Sequence, residues 1–567
     1  MSLPMTSAAR VGCCARQMPS NPLLRFRRSA AQLHALAEVE RTIRATDTTG
    51  RRKYLRDFSS AFQSYARVLR PEDLCRKLQG ADVILVGDYH ALPASQRYMA
   101  ALVEQLAAGG RPVILGVEAI VARDQHILDE WQRDEIDTGE LRSRIRFESD
   151  WGYDWQPFRE LLERARKAGV RIFGIDCTPR QDMRSIHARD RHAAVKIDEL
   201  RSANPDAVLV VLFGESHLAP THLPKLVRTL REDDEVLTVL QNVDSLYWLS
   251  AGEPDDLVEA VEVRDDVLCV FSATPLEKYE HYRMCIERWK QERAGKLDLA
   301  PSFYNLITSL LQFLNVNPYS AHSGRRRSFL VDELPEVWSA ANNEQMDRLL
   351  ARRLSTRTYE VHSALKEQGS YFVPERNVIV AREFRMPWAA EQAARFVVHA
   401  CRGPVGKSAT VEDEFYSRLL ESALSFLGSK VLCPSRKLFD EADVHELYAK
   451  PAEEMERAGY DPEKYLELLD FVLLHRDYES NCRRYAHLPE FLANGPNFDP
   501  RRREQAIGML GHALGTELYT AYLRGKVNKR WLRGLFFKSV AKAGSARNVY
   551  LRTCDQIADV RRLRMVS

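Results

Sequence analysis

The stretch "VLVVLFGESHLAP", residues 208–220, decides the fold: six apolar residues run into Gly214, Glu215, Ser216 and His217 and stop at a proline. A short apolar run bounded by turn signals reads as a strand covered on both faces, as in a parallel sheet. The polar cluster then lies just past the strand's carboxyl end, where the loops of an open α/β sheet form a ligand crevice. Three other runs repeat the pattern. "ADVILVGDYHALP" (81–93) ends in Gly87, Asp88, Tyr89 and His90, "RPVILGVEAI" (111–120) delivers Glu118, and "GVRIFGIDCTP" (169–179) delivers Asp176 and Cys177. Helical patterns at 95–108, 122–134 and 155–168, and from Ser185 onward, separate these runs, so the expectation is βαβ units around a mostly parallel sheet flanked by helices.

A chain of 567 residues is too long for one ordinary core, and 45% hydrophobic with 28% charged residues describes a globular protein. The formal net charge of +3 gives no general drive toward nucleic acid, so no specific nucleic-acid partner is expected. The ten cysteines show no CxxC, which suits a reducing compartment. The first thirty residues contain no apolar core of signal-peptide length, and nothing approaches the roughly 18 continuous apolar residues of a membrane span. A cytoplasmic protein is expected.

Three regions follow. Residues 1–50 read as a disordered lead, 51–290 as the α/β domain and 291–567 as a mainly α-helical C-terminal domain of unknown role. Within the α/β domain, "YLRDFSSAFQSYARVL" (54–69) reads as an amphipathic helix, "EVLTVLQNV" (235–243) as a strand and "AVEVRDDVLCVFS" (260–272) as a hairpin. Beyond 291 no strand is expected, and Glu375, Arg376 and Asn377 read as a helix-start ion pair. "CRGPVGKSAT" (401–410) fails as a phosphate-binding loop, because Cys401 stands where the motif needs glycine and a helix precedes it instead of a strand.

From 81 to 272 the pattern resembles the ChaN family of the haem-binding uptake and Tiki superfamily, which also includes relatives of erythromycin esterases. "GDYHALPASQR", "GVEAI", "WGYDWQPFRELLERARKAGVRIFGID", "ARDRHAAVKI" and "GESH" carry the resemblance in order, and "TPLEKYEHYR" extends it. The resemblance implies a polar site of His90, Glu118 and His217 with Asp88 and Glu215 beside it. Some known members bind haem at a membrane, and some relatives hydrolyse esters or peptides. This chain lacks the further histidines that often follow the first motif, and its helical half lies outside the resemblance.

On chemistry alone, two imidazoles and a carboxylate could hold Zn or Mn, since these are borderline-to-hard donors. Without metal, one histidine could serve as general base while Glu118 orients it and His217 polarises the substrate. A structural alternative has the acids capping helices. Tyr89, Trp151, Tyr153 and Trp155 could wall a flat ligand such as a porphyrin, or be core. Asp176 joins the ligand-binding set, and Asp190 or Arg191 could support it from behind. The function classes are therefore binding of haem or a similar ligand, His/Glu-based or metal-dependent hydrolysis, and a non-catalytic interaction role. If the cluster is a site, alanine at His90 or His217 should remove function and spare the melting temperature.

The end of the chain is basic, with twelve Lys or Arg against two Asp from Arg524 to Ser567. Trp531, Leu532, Leu535, Phe536 and Val540 would form one apolar stripe on a continuous helix. That helix would either dock on the helical domain or make weak contact with an anionic membrane surface.

Overall fold

The computed structural model describes residues 30–46, 53–178, 186–250, 258–290, 298–316, 334–339, 358–402, 410–434, 436–457, 459–481 and 499–558. They fall into two compact units, one built on Ile43–Trp289 and the other on Lys290–Ser567 with Asn21–Thr42.

The first unit is organised by an eight-stranded sheet. Its strands are β1 (Arg67–Val68), β2 (Val83–Asp88), β3 (Val113–Val121), β4 (Arg171–Asp176), β5 (Val208–Gly214), β6 (Val236–Gln241), β7 (Ala260–Arg264) and β8 (Val267–Val270), in the order β1-β7-β8-β6-β2-β5-β3-β4. From β8 to β4 every neighbouring pair is parallel, while β7 runs antiparallel to both β8 and β1. Alternation along each strand explains why the runs are apolar without interruption. Ile84, Val86, Val210 and Leu212 enter the core on one face, and Val83, Leu85, Leu209 and Val211 enter the core on the other. Helices 93–107, 125–132 and 155–167 cover the first face; 186–203, 223–230 and 53–61 cover the second. Each such side chain, fully buried, contributes about 1.5–3 kcal/mol.

The order β2-β5-β3-β4 makes the four polar strand ends neighbours on one edge of the sheet. The β2–β5 register sets Asp88 opposite Gly214. Between β3 and β4 the register shifts from Val117 to Val121, which takes Glu118 out of the regular ladder and re-aims it, as bulges beside functional sites do. Gly174 permits this, because a Cβ there would stand 2.8 Å from the Ile120 carbonyl oxygen.

Two expectations for the N-terminal part need correction. The helical pattern at 54–69 is helix only over Lys53–Ala61; the chain then turns and forms β1, since Ala66 and Leu69 donate to the Glu262 and Ala260 carbonyls of β7. Within the segment read as a disordered lead, Ala30–Thr46 is a helix, with Ala31, Ala35 and Val39 buried at helical spacing and His34 Nδ1 2.9 Å from Ser309 Oγ in the second unit. Residues 1–29 and 47–50 lie outside the described residues.

The second unit is mainly helical, with Met386–Arg402, Val411–Leu432, Pro462–Asn481 and Pro500–Leu523 as its long helices. A buried carboxylate ties helix Pro462–Asn481 to helix Ser545–Gln556: Glu479 accepts from the Tyr550 hydroxyl at 2.6 Å and, within its own helix, from Arg476 Nη1 at 2.5 Å, with His475 Nδ1 2.7 Å away. Strands are present here, contrary to expectation. β9 (Glu336–Ser339), β10 (Ser370–Val373) and β11 (Val378–Ala381) form a small sheet, and the Glu375–Arg376–Asn377 group is the turn of the β10–β11 hairpin, with Asn377 at φ 52°. Four-residue strands are too short for their period to stand out among helices.

The basic C-terminal stripe is not one helix. Helix Lys529–Phe536 ends before Val540, and Leu532 and Phe536 are buried within the unit, which accounts for the apolar pattern by docking. Residues 559–567 lie outside the described set. Among the described residues, no helix is long and apolar enough to cross a membrane.

Candidate functional site

The four strand ends converge. His90 follows β2, and its Nδ1 lies 2.8 Å from Oδ2 of Asp88, the strand's last residue. Gln96, from the helix that β2 feeds, donates to the other Asp88 oxygen. His217 follows β5 in a 3₁₀ turn, and its Nδ1 lies 2.5 Å from Oδ1 of Asp190. Each imidazole therefore has one nitrogen pinned by a carboxylate. The opposite nitrogens face one acid: His90 Nε2 is 3.8 Å, and His217 Nε2 3.9 Å, from Glu118. Gly214 leaves room for this approach, since a Cβ there would stand 3.2 Å from both Glu118 Oε2 and His90 Nε2.

Arg189 supplies the counter-charge. Its guanidinium grips Asp176 in a fork, Nε to Oδ1 at 2.9 Å and Nη2 to Oδ2 at 2.8 Å, and also donates to Glu118. Arg189 and Asp190 are consecutive on helix 186–203, so their side chains diverge by roughly 100° and serve different strand ends. Burial alone would raise the Glu118 carboxyl, but Arg189, the two imidazoles and the Gly214 N–H hold it down at about 2. Burial would lower the His90 imidazole, but Asp88 and Glu118 outweigh it and raise it above its usual 6.5. Burial pushes Asp88 up, against the pull of His90.

These directions fix an acid response. The folded-state value of Glu118 is depressed from its ordinary 4.5 to about 2, so its contribution to stability is complete above about 4.5 and is lost as pH falls through about 2. Near-UV circular dichroism of the chain titrated with acid is expected to hold steady above that window and to lose signal within it; a signal unchanged to below pH 2 contradicts the assignment.

The remaining sequence candidates separate. Trp151 and Tyr153 pack against the His90 ring, with centroids 4.4 and 5.1 Å away. Trp155, grouped with them as a wall, belongs to the core and packs on Phe147 at 4.8 Å. Glu215 pairs with buried Lys278, whose Nζ lies 3.2 Å from Oε1 and 4.4 Å from the Tyr89 ring centre. Burial raises the Glu215 carboxyl while Lys278 opposes it. Among the described residues, no group of three or more His, Cys, Asp and Glu side chains could hold a metal ion. In this structure both Glu118 oxygens are engaged, one by Arg189 and the other by the Gly214 N–H. Arg191, offered beside Asp190 as a supporting group, is exposed. Arg189, Lys278, Gln96 and Tyr54 were not assigned to the site. The Arg-Asp pair in "ARDRH" was the available signal for Arg189; Tyr54 offered only its place on an amphipathic helix.

Residues 74–209 match the family described as haem-binding uptake, Tiki superfamily, ChaN. That segment is similar to the ChaN family. The match takes in His90, Glu118, Asp176, Arg189 and Asp190 and ends before His217. No curated protein matches the chain. Among solved structures, it is similar to one titled "Cofacial heme binding to ChaN of Campylobacter jejuni", at 15% identity over 30% of this chain and 85% of that chain, with a TM-score of 0.24. It is also similar to the type III effector HopBA1, at 14% identity over 37% of this chain and 98% of that one, with a TM-score of 0.28. A third similarity is to the Pasteurella multocida toxin, whose C-terminal region is described as holding a thiol-protease-like triad, at 13% identity over 32% and 26% of the two chains, with a TM-score of 0.23.

Proposed function

We propose that the strand-end cluster of the first unit is an acid–base site that hydrolyses an ester or amide bond in a small substrate. One arrangement carries this reading: each imidazole has its Nδ1 held by a buried carboxylate and its Nε2 turned toward Glu118. A held Nδ1 fixes the tautomer and aims the other nitrogen, as an imidazole that moves protons requires. His90, with 20% of its side chain exposed, is the open member of the pair. Its Nε2 takes a proton from water as the water oxygen bonds to the carbonyl carbon; the carbonyl–heteroatom bond then breaks, and His90 returns the proton to the leaving group. His217, when protonated, donates from Nε2 to the developing oxyanion. Arg189 keeps Glu118 ionised, and the carboxylate steadies the imidazolium that His90 becomes once it has taken the proton.

A second reading, haem or a similar tetrapyrrole as ligand, is favoured by the family's description and by the His90 surroundings. A carboxylate-backed imidazole is a more basic axial donor, and Trp151 and Tyr153 offer ring surfaces beside it. In that case His90 would hold the iron and Asp88 would orient the ring.

The deciding experiment gives full-length protein a panel of p-nitrophenyl esters and peptide anilides and, separately, haemin. Turnover that disappears in His90→Ala supports hydrolysis. No turnover on any ester or amide, with a Soret band that needs His90, overturns it in favour of the second reading.

A further inference from the structure

Upstream of the matched family segment, the helix Lys53–Ala61 carries Tyr54 into the site. Tyr54 is 6% exposed, and its hydroxyl donates to Oδ2 of Asp190, the carboxylate whose Oδ1 lies 2.5 Å from His217 Nδ1. The same hydroxyl is 3.4 Å from that nitrogen. Three histidines surround the phenol ring. His222 stacks on it at 3.7 Å and 8°, while His217 and His187 meet its edge at 5.4 and 5.6 Å. His222 is itself tethered, with Nδ1 3.1 Å from the Ser216 carbonyl and Nε2 3.7 Å from Asp57, one turn along from Tyr54. Phe58 and Phe62 root this segment in the core that also holds Phe213 and Leu218.

We infer that Tyr54 is a positioning residue of the strand-end site, locking the Asp190 carboxylate so that Oδ1 always meets His217 Nδ1 and His217 Nε2 always faces Glu118. A lone aspartate carboxylate rotates about its terminal bond and can offer either oxygen; a donor fixed on one oxygen commits the other. Burial, and then the charge of Asp190, push the Tyr54 phenol far above its ordinary 10, so it stays a donor wherever the protein is folded. The helix before the family segment is thus part of the site, and the working domain begins near residue 53. The effect on turnover rests on the hydrolytic reading; the effect on His217 does not.

Tyr54→Phe in the full-length chain tests this, since phenylalanine keeps the stack on His222 and removes only the hydroxyl. Two measurements are made on it: steady-state kinetics on whichever ester the wild type cleaves, and the nitrogen-15 resonances of the His217 ring. The expected result is a kcat reduced roughly ten- to hundredfold, with KM within about twofold, the scale of one lost hydrogen bond to a charged group. The His217 ring nitrogens should move from their wild-type positions, with those of His90 unmoved. His217 resonances identical to wild type, with kcat within about twofold, overturn the inference and leave Tyr54 a core aromatic. If the wild type cleaves nothing, the hydrolytic reading fails, while the resonances still decide the role of Tyr54. If the Phe variant does not fold, 3-fluorotyrosine placed at position 54 keeps the shape and strengthens the donor; His217 resonances that do not respond to it overturn the inference.

Discussion

Arg189→Met is expected to destabilise the first unit by about 3–5 kcal/mol, the cost of removing one partner from a buried ion pair. Two carboxylates depend on this guanidinium. Asp176 is fully buried and Glu118 is 3% exposed, and Arg189 bridges them with several charge-assisted hydrogen bonds. Methionine matches the length of the stem but leaves two acids facing each other in a medium where each prefers to be neutral. Urea unfolding of the full chain, followed by the near-UV signal, measures the loss. Glu118→Gln added to Arg189→Met is expected to restore part of it, because the uncompensated charge is then one and not two. An Arg189→Met midpoint equal to wild type sinks the account, since it means that water already carries the compensation.

Why the strand ends were legible and the Arg189 bridge was not is a matter of period and environment. Strands β2, β3, β4 and β5 are covered on both faces, so their runs are largely apolar; Asp88, Asp176 and Glu215 mark the carboxyl ends of β2, β4 and β5, while Glu118 lies inside β3, three residues before its end. Their adjacency needed the strand order, in which β5 inserts between β2 and β3. Arg189 and Asp190 sit on a helix rich in charge, and a buried ion pair and a solvated face share one composition. Lys278 was equally hidden in "TPLEKYEHYR", where only the fold shows that one lysine of a polar helix turns inward to Glu215. In the second unit the helix Ala30–Thr46 was masked by the irregular stretch before it, and β9 to β11 by their brevity. The pattern is consistent: local period reveals elements, whereas pairing between distant charges waits for the tertiary structure.

His90→Ala is expected to lower turnover by about 10²–10⁴-fold, the usual contribution of a positioned general base. It should leave the melting temperature within a few degrees, because the ring is 20% exposed and Asp88 keeps the Gln96 donor after the ring is gone. Added imidazole is expected to recover part of the rate by entering the space beside Trp151 and Tyr153. His217→Ala should behave differently, although the sequence treats the two histidines alike. The His217 side chain is 5% exposed, packs on Phe213 at 4.8 Å and is paired with Asp190. Its removal leaves the buried Asp190 carboxylate with the Tyr54 hydroxyl but without its imidazole partner, opens a space beside Phe213, and costs roughly 1–3 kcal/mol in addition to the lost activity. Thermal melts and kinetics of the two variants, run side by side, separate the roles. A His90→Ala protein that retains turnover removes His90 from the reaction. A His217→Ala protein as stable as wild type shows that the Asp190–Tyr54 pair satisfies itself without the imidazole, and reduces His217 to a group whose only contribution is at the open side of Glu118.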